Sequence, residues 1–96
     1  MSRPPTQKVM PQEIESLYKE HNIWERIEES ELTSEPVVEK DAPARIAPGG
    51  LSRILKHADL DGRHIATTHI ILDANGLTVH HDSKDILVDG IRYTRP

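Results

Sequence analysis

Residues 65–82 carry the feature that most constrains the fold, namely two apolar runs joined by a turn sequence. The first run, residues 65–72, is rich in the β-branched side chains that suit a half-buried strand. The pair Asn75-Gly76 precedes the second run, residues 77–82, and is typical of a type I′ turn, in which both central residues have positive φ. The sequence therefore predicts an antiparallel hairpin.

The length of the hairpin loop decides which side chains share a face, because a shift of one residue moves every side chain to the other face. A three-residue loop would set Leu72 beside Thr78 and divide the apolar residues between the two faces. We therefore expect a two-residue loop, which gives the pairs Leu72–Val79, Ile70–His81 and His69–Asp82.

The C-terminal residues continue this pattern and predict a meander of three to four antiparallel strands. Its further segments are a turn at 82–85, a short strand at 86–88, a second type I′ turn at Asp89-Gly90 and a last strand at 91–94. One continuous strand over 86–94 with a bulge at Gly90 is the alternative. In the first case one face is apolar and collects Ile70, Leu72, Leu77, Val79, His81, Ile86, Val88, Ile91 and Tyr93. The opposite face collects Thr67, His69, Ile71, Thr78, His80, Leu87, Arg92 and Thr94.

An acidic amphipathic helix is predicted over residues 11–32, after a tail at residues 1–10 that lacks periodicity and is expected to be disordered. Pro11 suits the first turn of a helix. Apolar and aromatic residues then recur at three- and four-residue spacing, at Ile14, Leu17, Tyr18, His21 and Trp24. Ile23 and Ile27 depart from this stripe. Either the helix breaks near His21-Asn22, where asparagine tolerates a left-handed cap, or its second half is apolar on two sides.

Two further segments complete the predicted organisation of this single small domain. Residues 33–50 contain three prolines and a Gly-Gly pair, which exclude a regular helix and predict a flexible linker. Residues 51–58 have helical spacing of Leu51, Ile54, Leu55 and Ala58, and predict a two-turn helix that docks on the sheet. We therefore expect an α+β protein, with a short helix and the antiparallel sheet in residues 51–96.

Composition and charge limit the class of protein. The 96 residues include no Cys, so neither a disulfide nor a thiolate metal site is expected. No signal-peptide or membrane-spanning segment is found, and we expect a cytoplasmic protein with no membrane partner. Ten acidic residues fall within residues 11–41 against three basic ones. This acidity disfavours nucleic acid as a partner and permits a basic protein partner, the simpler interpretation being a solvated helix face and a soluble linker.

The six histidines raise the question of a metal site. His69, His80 and Asp82 share one face in the predicted register, and imidazole and carboxylate groups bind zinc or nickel. Adjacent strand residues point to opposite faces, however, so His81 cannot join His80 on one ion. A solvated polar face with a cross-strand His69–Asp82 pair is the simpler interpretation. We expect no metal and no other cofactor, and these three residues are weak candidates only. His81, on the apolar face, is expected at the edge of the core.

No catalytic motif is found in the sequence. No serine lies in a Gly-x-Ser-x-Gly frame, and Gly49-Gly50 lacks the rest of a phosphate-binding loop. We therefore expect no enzymatic activity, the alternative being an unrecognised hydrolase that uses His69, His80 and Asp82. A small nucleic-acid-binding regulator is the second function considered, because basic residues cluster at Arg53, Lys56, His57, Arg63 and His64, with Lys84, Arg92 and Arg95 nearby. No exposed aromatic pair for base stacking accompanies them.

The function that fits best is a non-enzymatic interaction or regulatory protein that acts through protein–protein contacts. An amphipathic helix that docks in a partner's groove is a common recognition mode. Exchange of the helical arm between two copies would instead give a homodimer. The partner-binding candidates are Ile14, Leu17, Tyr18, Trp24 and Ile27.

Overall fold

The structure, a computed structural model, describes residues 3–96, which form two short helices and a six-stranded mixed sheet. In chain order the elements are β1 (Thr6–Lys8), α1 (Pro11–Glu20), α2 (Ile23–Glu28), β2 (Thr33–Asp41), β3 (Leu51–Ala58), β4 (His64–Leu72), β5 (Thr78–Val88) and β6 (Ile91–Thr94). The strand order is β1-β6-β5-β4-β3-β2, with β1 parallel to β6 and every other pair antiparallel. The α+β class is confirmed, but the predicted meander of three to four strands understates the sheet.

Residues 51–58, predicted as a short helix, form strand β3 instead. This strand presents apolar side chains on both faces of the sheet, since Ile54 lines a cavity on one face and Leu55 lines a cavity on the other. A strand with apolar side chains on both faces does not alternate between apolar and polar residues. Its apolar positions therefore coincided with helical spacing.

Both edges of the sheet come from segments that were predicted to be irregular. Thr33–Asp41, within the predicted linker, forms the exposed edge strand β2. Pro36 is compatible with an edge strand, where its missing N–H leaves no ladder hydrogen bond unmade. Thr6–Lys8, within the predicted disordered tail, forms the short edge strand β1. Residues 1 and 2 of that tail lie outside the described residues.

The single helix predicted over residues 11–32 is broken into two helices. This confirms the first of the two alternatives, a break near His21-Asn22. Asn22 has φ 53° and separates α1 from α2. The helical segment ends at Glu28. The change of direction at Asn22 lets Ile23 bury its side chain in the same core as Ile14 and Tyr18. The break thus explains why Ile23 departs from the apolar stripe of α1.

The β4–β5 hairpin has a three-residue loop, so the prediction of a two-residue type I′ turn was wrong. Asp73 N–H donates to Leu77 O at 2.8 Å, and Asp73 Oδ1 accepts from the N–H groups of Asn75 and Leu77 at 2.9 and 3.0 Å. Gly76 has φ 83°, whereas Asn75 is not among the positive-φ residues. The Asp73 carboxylate stabilises this loop, which the Asn-Gly rule alone does not predict.

The register of β4 and β5 was predicted correctly away from that loop. Leu72 pairs with Thr78 rather than with Val79, and the ladder then shifts before the next pair. The shift leaves Val79 as an extra residue, a β-bulge, which returns the strands to the predicted register. The pairs Ile70–His81 and His69–Asp82 are therefore confirmed.

The loops between β3 and β4 and between β5 and β6 are also short turns with glycine at a positive φ. Asp59 and Gly62 close the β3–β4 loop with the same hydrogen bonds that Asp73 and Gly76 make, so Asp-x-Asp-Gly and Asp-x-Asn-Gly specify one loop design. The type I′ turn at Asp89-Gly90 is confirmed by φ values of 49° and 80°, which excludes a continuous strand there. The predicted turn at 82–85 is wrong, because these residues continue β5 with Lys84 as a bulge.

The hydrophobic core lies between the helices and one face of the sheet, termed the front face. It consists of Val9, Ile14, Tyr18, Ile23, Ala66 and Ile86, with Val88 and Tyr93 among the residues packed against it. Leu77 and Val79, predicted on this apolar face, are exposed because they belong to the hairpin loop and its bulge. Ile71, predicted on the polar opposite face, is buried, so the back face is partly apolar. Within residues 3–96, no helix has the length and apolar character needed to cross a membrane.

Candidate functional site

A groove between α2 and strands β3–β5 is the main concave feature of the front face. The helices cover only part of this face, with α1 against β5. The uncovered part forms a groove of about 610 Å³, which lies within the usual range for ligand sites. The groove, termed the α2 groove, is lined by Trp24, Ile27, Glu28, Leu55, His57, Thr68, Ile70, Thr78 and His81.

Trp24 is fixed in this groove by aromatic contacts on two sides. Its ring centroid lies 5.5 Å from that of Tyr18 and 4.5 Å from that of His81, the latter in an edge-to-face arrangement. Tyr18 is 1% exposed and cannot move easily. His81, expected at the edge of the core, is exposed at the rim of the groove. The indole is therefore held in one orientation and remains partly accessible.

His57 forms a buried polar base to the groove. It is 1% exposed. Its Nδ1 lies 2.8 Å from Ser34 Oγ and its Nε2 lies 2.7 Å from Thr68 Oγ1. Burial lowers the pKa of His57 to about 4, so the imidazole is neutral near pH 7. His57 was named from the sequence only as part of a basic cluster. Its place between Ser34 of β2 and Thr68 of β4 was not predicted, because residues 51–58 were expected to form a helix.

The predicted partner-binding residues divide into two groups. Ile14 and Tyr18 are fully buried against the chain's own sheet. Leu17, Trp24 and Ile27 are half-buried and pack against the same core. Of all five, Trp24 and Ile27 line the α2 groove. Of the three half-buried candidates, Leu17 thus lies on α1, and Trp24 and Ile27 lie on α2.

Charge is distributed unevenly around the sheet. Glu28 lines the α2 groove, and Glu25, Glu29 and Glu31, which are near it in the chain, are exposed. Several basic residues of the predicted nucleic-acid cluster are paired with carboxylates instead. The ion pairs are Arg53–Glu39 at 2.6 Å, Arg92–Asp85 at 3.1 Å and Arg95–Asp82 at 3.3 Å. These pairs leave fewer basic groups available for phosphates.

His69, His80 and Asp82 meet on the back face and are termed the histidine cluster. Asp82 Oδ2 lies 3.1 Å from His80 Nε2 and 3.9 Å from His69 Nδ1. Burial and the nearby Lys84 lower the pKa of His69, against the opposing effect of Asp82. Burial opposes ionisation of Asp82, but the hydrogen bond with His80 and the charge of Arg95 outweigh it and lower the pKa of Asp82.

A cavity of about 410 Å³ adjoins this cluster, termed the back cavity. It is lined by Val38, Lys40, Pro43, Ile46, Ser52, Ile54, His69, Ile71, His80 and Lys84. Ser52 Oγ lies 2.7 Å from His69 Nε2, in the order of a serine–histidine–aspartate triad. The 3.9 Å separation of His69 from Asp82 is too long for the hydrogen bond that orients the histidine in such triads.

Comparisons with protein-family models, with curated proteins and with solved structures find no match to this chain.

Proposed function

We propose that the chain is a small non-enzymatic interaction protein whose α2 groove binds a segment of a partner protein. The segment carries a bulky apolar side chain next to lysine or arginine. One observation carries this proposal: Trp24 and Ile27 remain partly accessible and face Leu55 and Ile70 across a groove of about 610 Å³. The remaining helical anchors are used internally to hold α1 on the sheet.

The apolar lining favours a large side chain as the central contact. Tryptophan is among the residues most often found to dominate binding energy at protein interfaces. Because Tyr18 and His81 already contact the Trp24 ring, binding would cost little additional side-chain entropy. Burial of a partner's leucine or phenylalanine there would contribute about 1.5 to 3 kcal/mol.

The charge beside the groove favours a basic partner. Glu28 lines the groove. Glu25 precedes it on α2 and Glu29 follows it at the end of the helix, and both are exposed. Complementary charge raises the association rate and disfavours acidic competitors more than it raises affinity. Lysine or arginine beside the apolar anchor is therefore the expected feature of the partner.

The exposed edge strand β2 offers less support for a binding site. It combines Pro36, a register shift between Pro36 and Val38, and the acidic residues Glu35 and Glu39. Proline, bulges and charge are the features by which edge strands avoid pairing with other strands. The α2 groove is accordingly preferred to strand addition, either by a partner or by a second copy.

Selection from a displayed random peptide library on the immobilised full-length chain tests this proposal. Binding of the selected peptides is then measured through Trp24 fluorescence, which is specific because the chain has one tryptophan. We expect peptides with one bulky apolar residue flanked by basic residues. Acidic peptides, peptides without an apolar residue, or no enriched peptide would contradict the proposal.

Two variants locate the binding site. Ile27→Ala should weaken the binding of the selected peptides by about tenfold, since it removes apolar contact that contributes about 1.4 kcal/mol or more to binding. Glu28→Lys should weaken the basic peptides, whereas Glu13→Lys, an exposed change of the same kind in the first turn of α1, should not. Equal effects of Glu28→Lys and Glu13→Lys would show that net charge alone weakens peptide binding, and would contradict the α2 groove as the binding site. Filter binding of nucleic acid at low salt tests the regulator alternative in parallel.

A further inference from the structure

We propose that His69, His80 and Asp82 form a binding site for a divalent transition-metal ion of the zinc type, with a fourth position that opens to the back cavity. One ligand atom from each of the three residues lies within 4.8 Å of the other two. Two imidazoles and a carboxylate form a ligand set suited to zinc, and three protein ligands leave one position for water or another ligand.

Two of the three distances between ligand atoms lie close to those of a zinc site, and the third, between the two histidines, is no more than 4.8 Å. Ligand atoms in a tetrahedral zinc site lie about 2.0 to 2.2 Å from the ion and hence about 3.3 to 3.6 Å from one another. Asp82 Oδ2 lies 3.1 Å from His80 Nε2 and 3.9 Å from His69 Nδ1, on either side of that range. The backbone positions are set by the paired strands β4 and β5, where His69 lies directly opposite Asp82.

Neighbouring groups orient two of the three ligands as they do in metal sites. His69 Nε2 lies 2.7 Å from Ser52 Oγ, so an Nε2–H donated to Ser52 leaves the Nδ1 lone pair toward Asp82 and His80. Arg95 Nη2 donates to Asp82 Oδ1 at 3.3 Å, while Oδ2 faces the histidines. Such partners of the ligands fix tautomer and ring direction in metal sites.

Nearby charges determine how tightly the site is expected to bind a metal ion. Lys84 lines the same cavity as both histidines, and Arg95 contacts the only carboxylate of the cluster. Both positive charges oppose a cation. The expected affinity is therefore weaker than that of a structural zinc site.

This metal site is independent of the proposed α2 groove. Trp24 and His81 lie on the front face, whereas His69 and His80 line the back cavity. The separation of His80 from its sequence neighbour His81 follows from strand geometry. Failure of either proposal therefore leaves the other unaffected.

Titration of the full-length, tag-free chain with Co²⁺ and then Zn²⁺ tests this site. Co²⁺ should give the visible absorption bands of a four-coordinate site at one equivalent, and Zn²⁺ should displace it, with heats measured by calorimetry. The chain has no Cys, so thiolate ligation cannot produce the signal. No saturable binding at millimolar metal, or bands of a six-coordinate ion only, would overturn the proposal.

Matched variants assign the ligands. His80→Gln and Asp82→Asn should each weaken zinc binding by about tenfold or more, while His21→Gln, which changes a histidine on the helical segment, should leave it unchanged. Lys84→Met should tighten binding severalfold, because it removes an opposing charge. Circular dichroism of each variant confirms that the sheet is folded. Equal zinc affinity for His80→Gln, Asp82→Asn and His21→Gln would show that the cluster is not the site.

Discussion

The hydroxyl of Tyr18 lies 2.7 Å from the backbone carbonyl oxygen of Asp85, to which it donates a hydrogen bond. The same hydroxyl lies 2.8 Å from the carbonyl oxygen of Thr67, the residue that pairs with Asp85. This pair adjoins the register shift at Lys84, where the ladder between β4 and β5 is irregular. Burial raises the pKa of the Tyr18 hydroxyl, which therefore remains a donor at all ordinary pH values. Tyr18 thus fastens α1 to both strands.

Tyr18→Phe is expected to lower the free energy of unfolding by about 1 to 2 kcal/mol, because it removes the hydrogen bond that the buried Tyr18 side chain donates to the backbone of the sheet. Urea denaturation followed by circular dichroism measures this loss. Tyr93→Phe is the matched control, since the Tyr93 side chain packs against the same core but its hydroxyl makes no hydrogen bond within residues 3–96. Losses of equal size in the two variants would contradict the role given to the Tyr18 hydroxyl.

His57 should make stability depend on pH. Its folded pKa of about 4 lies below the ordinary value of 6.5, so between these values the unfolded chain binds a proton that the folded chain does not. Stability is therefore complete above about pH 6.5 and falls as the pH drops toward 4, by up to about 3 kcal/mol. Urea midpoints of the wild type and of His57→Gln across this window isolate the effect. The variant should show a shallower slope, and an unchanged slope would refute the assignment.

Gly50 should be the least replaceable glycine of the chain. A Cβ at this position would lie 2.0 Å from Leu72 O, a backbone atom that cannot move away without disturbing β4. Gly50→Ala should therefore lower the free energy of unfolding by about 3 kcal/mol or more. Gly62→Ala, which meets no atom within 4 Å but keeps a φ of +82°, should cost about 1 kcal/mol. Thermal melts of the two variants compare these costs, and a cost for Gly62→Ala as large as for Gly50→Ala would contradict the contact.

The local parts of the fold were predictable from sequence. The alternation of β4 and β5 gave the His69–Asp82 pair, and Asp89-Gly90 gave the last turn. The strands at the edges were not predictable, because β1 and β2 have little apolar pattern and are held by pairing with distant residues. Strand β3 was mistaken for a helix, since apolar side chains on both of its faces remove the alternation that identifies a strand.

The candidate site was only partly accessible from sequence for the same reason. Trp24 and Ile27 were named from their helical spacing, and the structure places them in the α2 groove. His57 and Leu55, which form the opposite wall and base, lie on the strand that was predicted as a helix. The histidine cluster followed from the register, but Ser52, which orients His69, also lies on β3.

Pro36 should protect the exposed edge of β2 from pairing with other strands. Pro36→Val supplies a backbone N–H and a β-branched side chain, and is expected to increase self-association. Light scattering as a function of concentration measures the effect. Pro48→Val changes an exposed loop proline. It is the control and should leave self-association unchanged. Unchanged scattering of the Pro36 variant would contradict this role for Pro36 and would show that the bulge and the charges of β2 are enough to prevent strand pairing.

Binding in the α2 groove is tested by chemical-shift mapping of the ¹⁵N-labelled chain with the tightest selected peptide. We expect the largest changes at the Trp24 indole N–H and at the amides of Ile27, Leu55, Ile70 and His81, which line the groove. Changes along Thr33–Asp41 would indicate strand addition, and changes around His69 and His80 would indicate binding on the back face. Either of these patterns, with Trp24 and Ile27 unaffected, would contradict it.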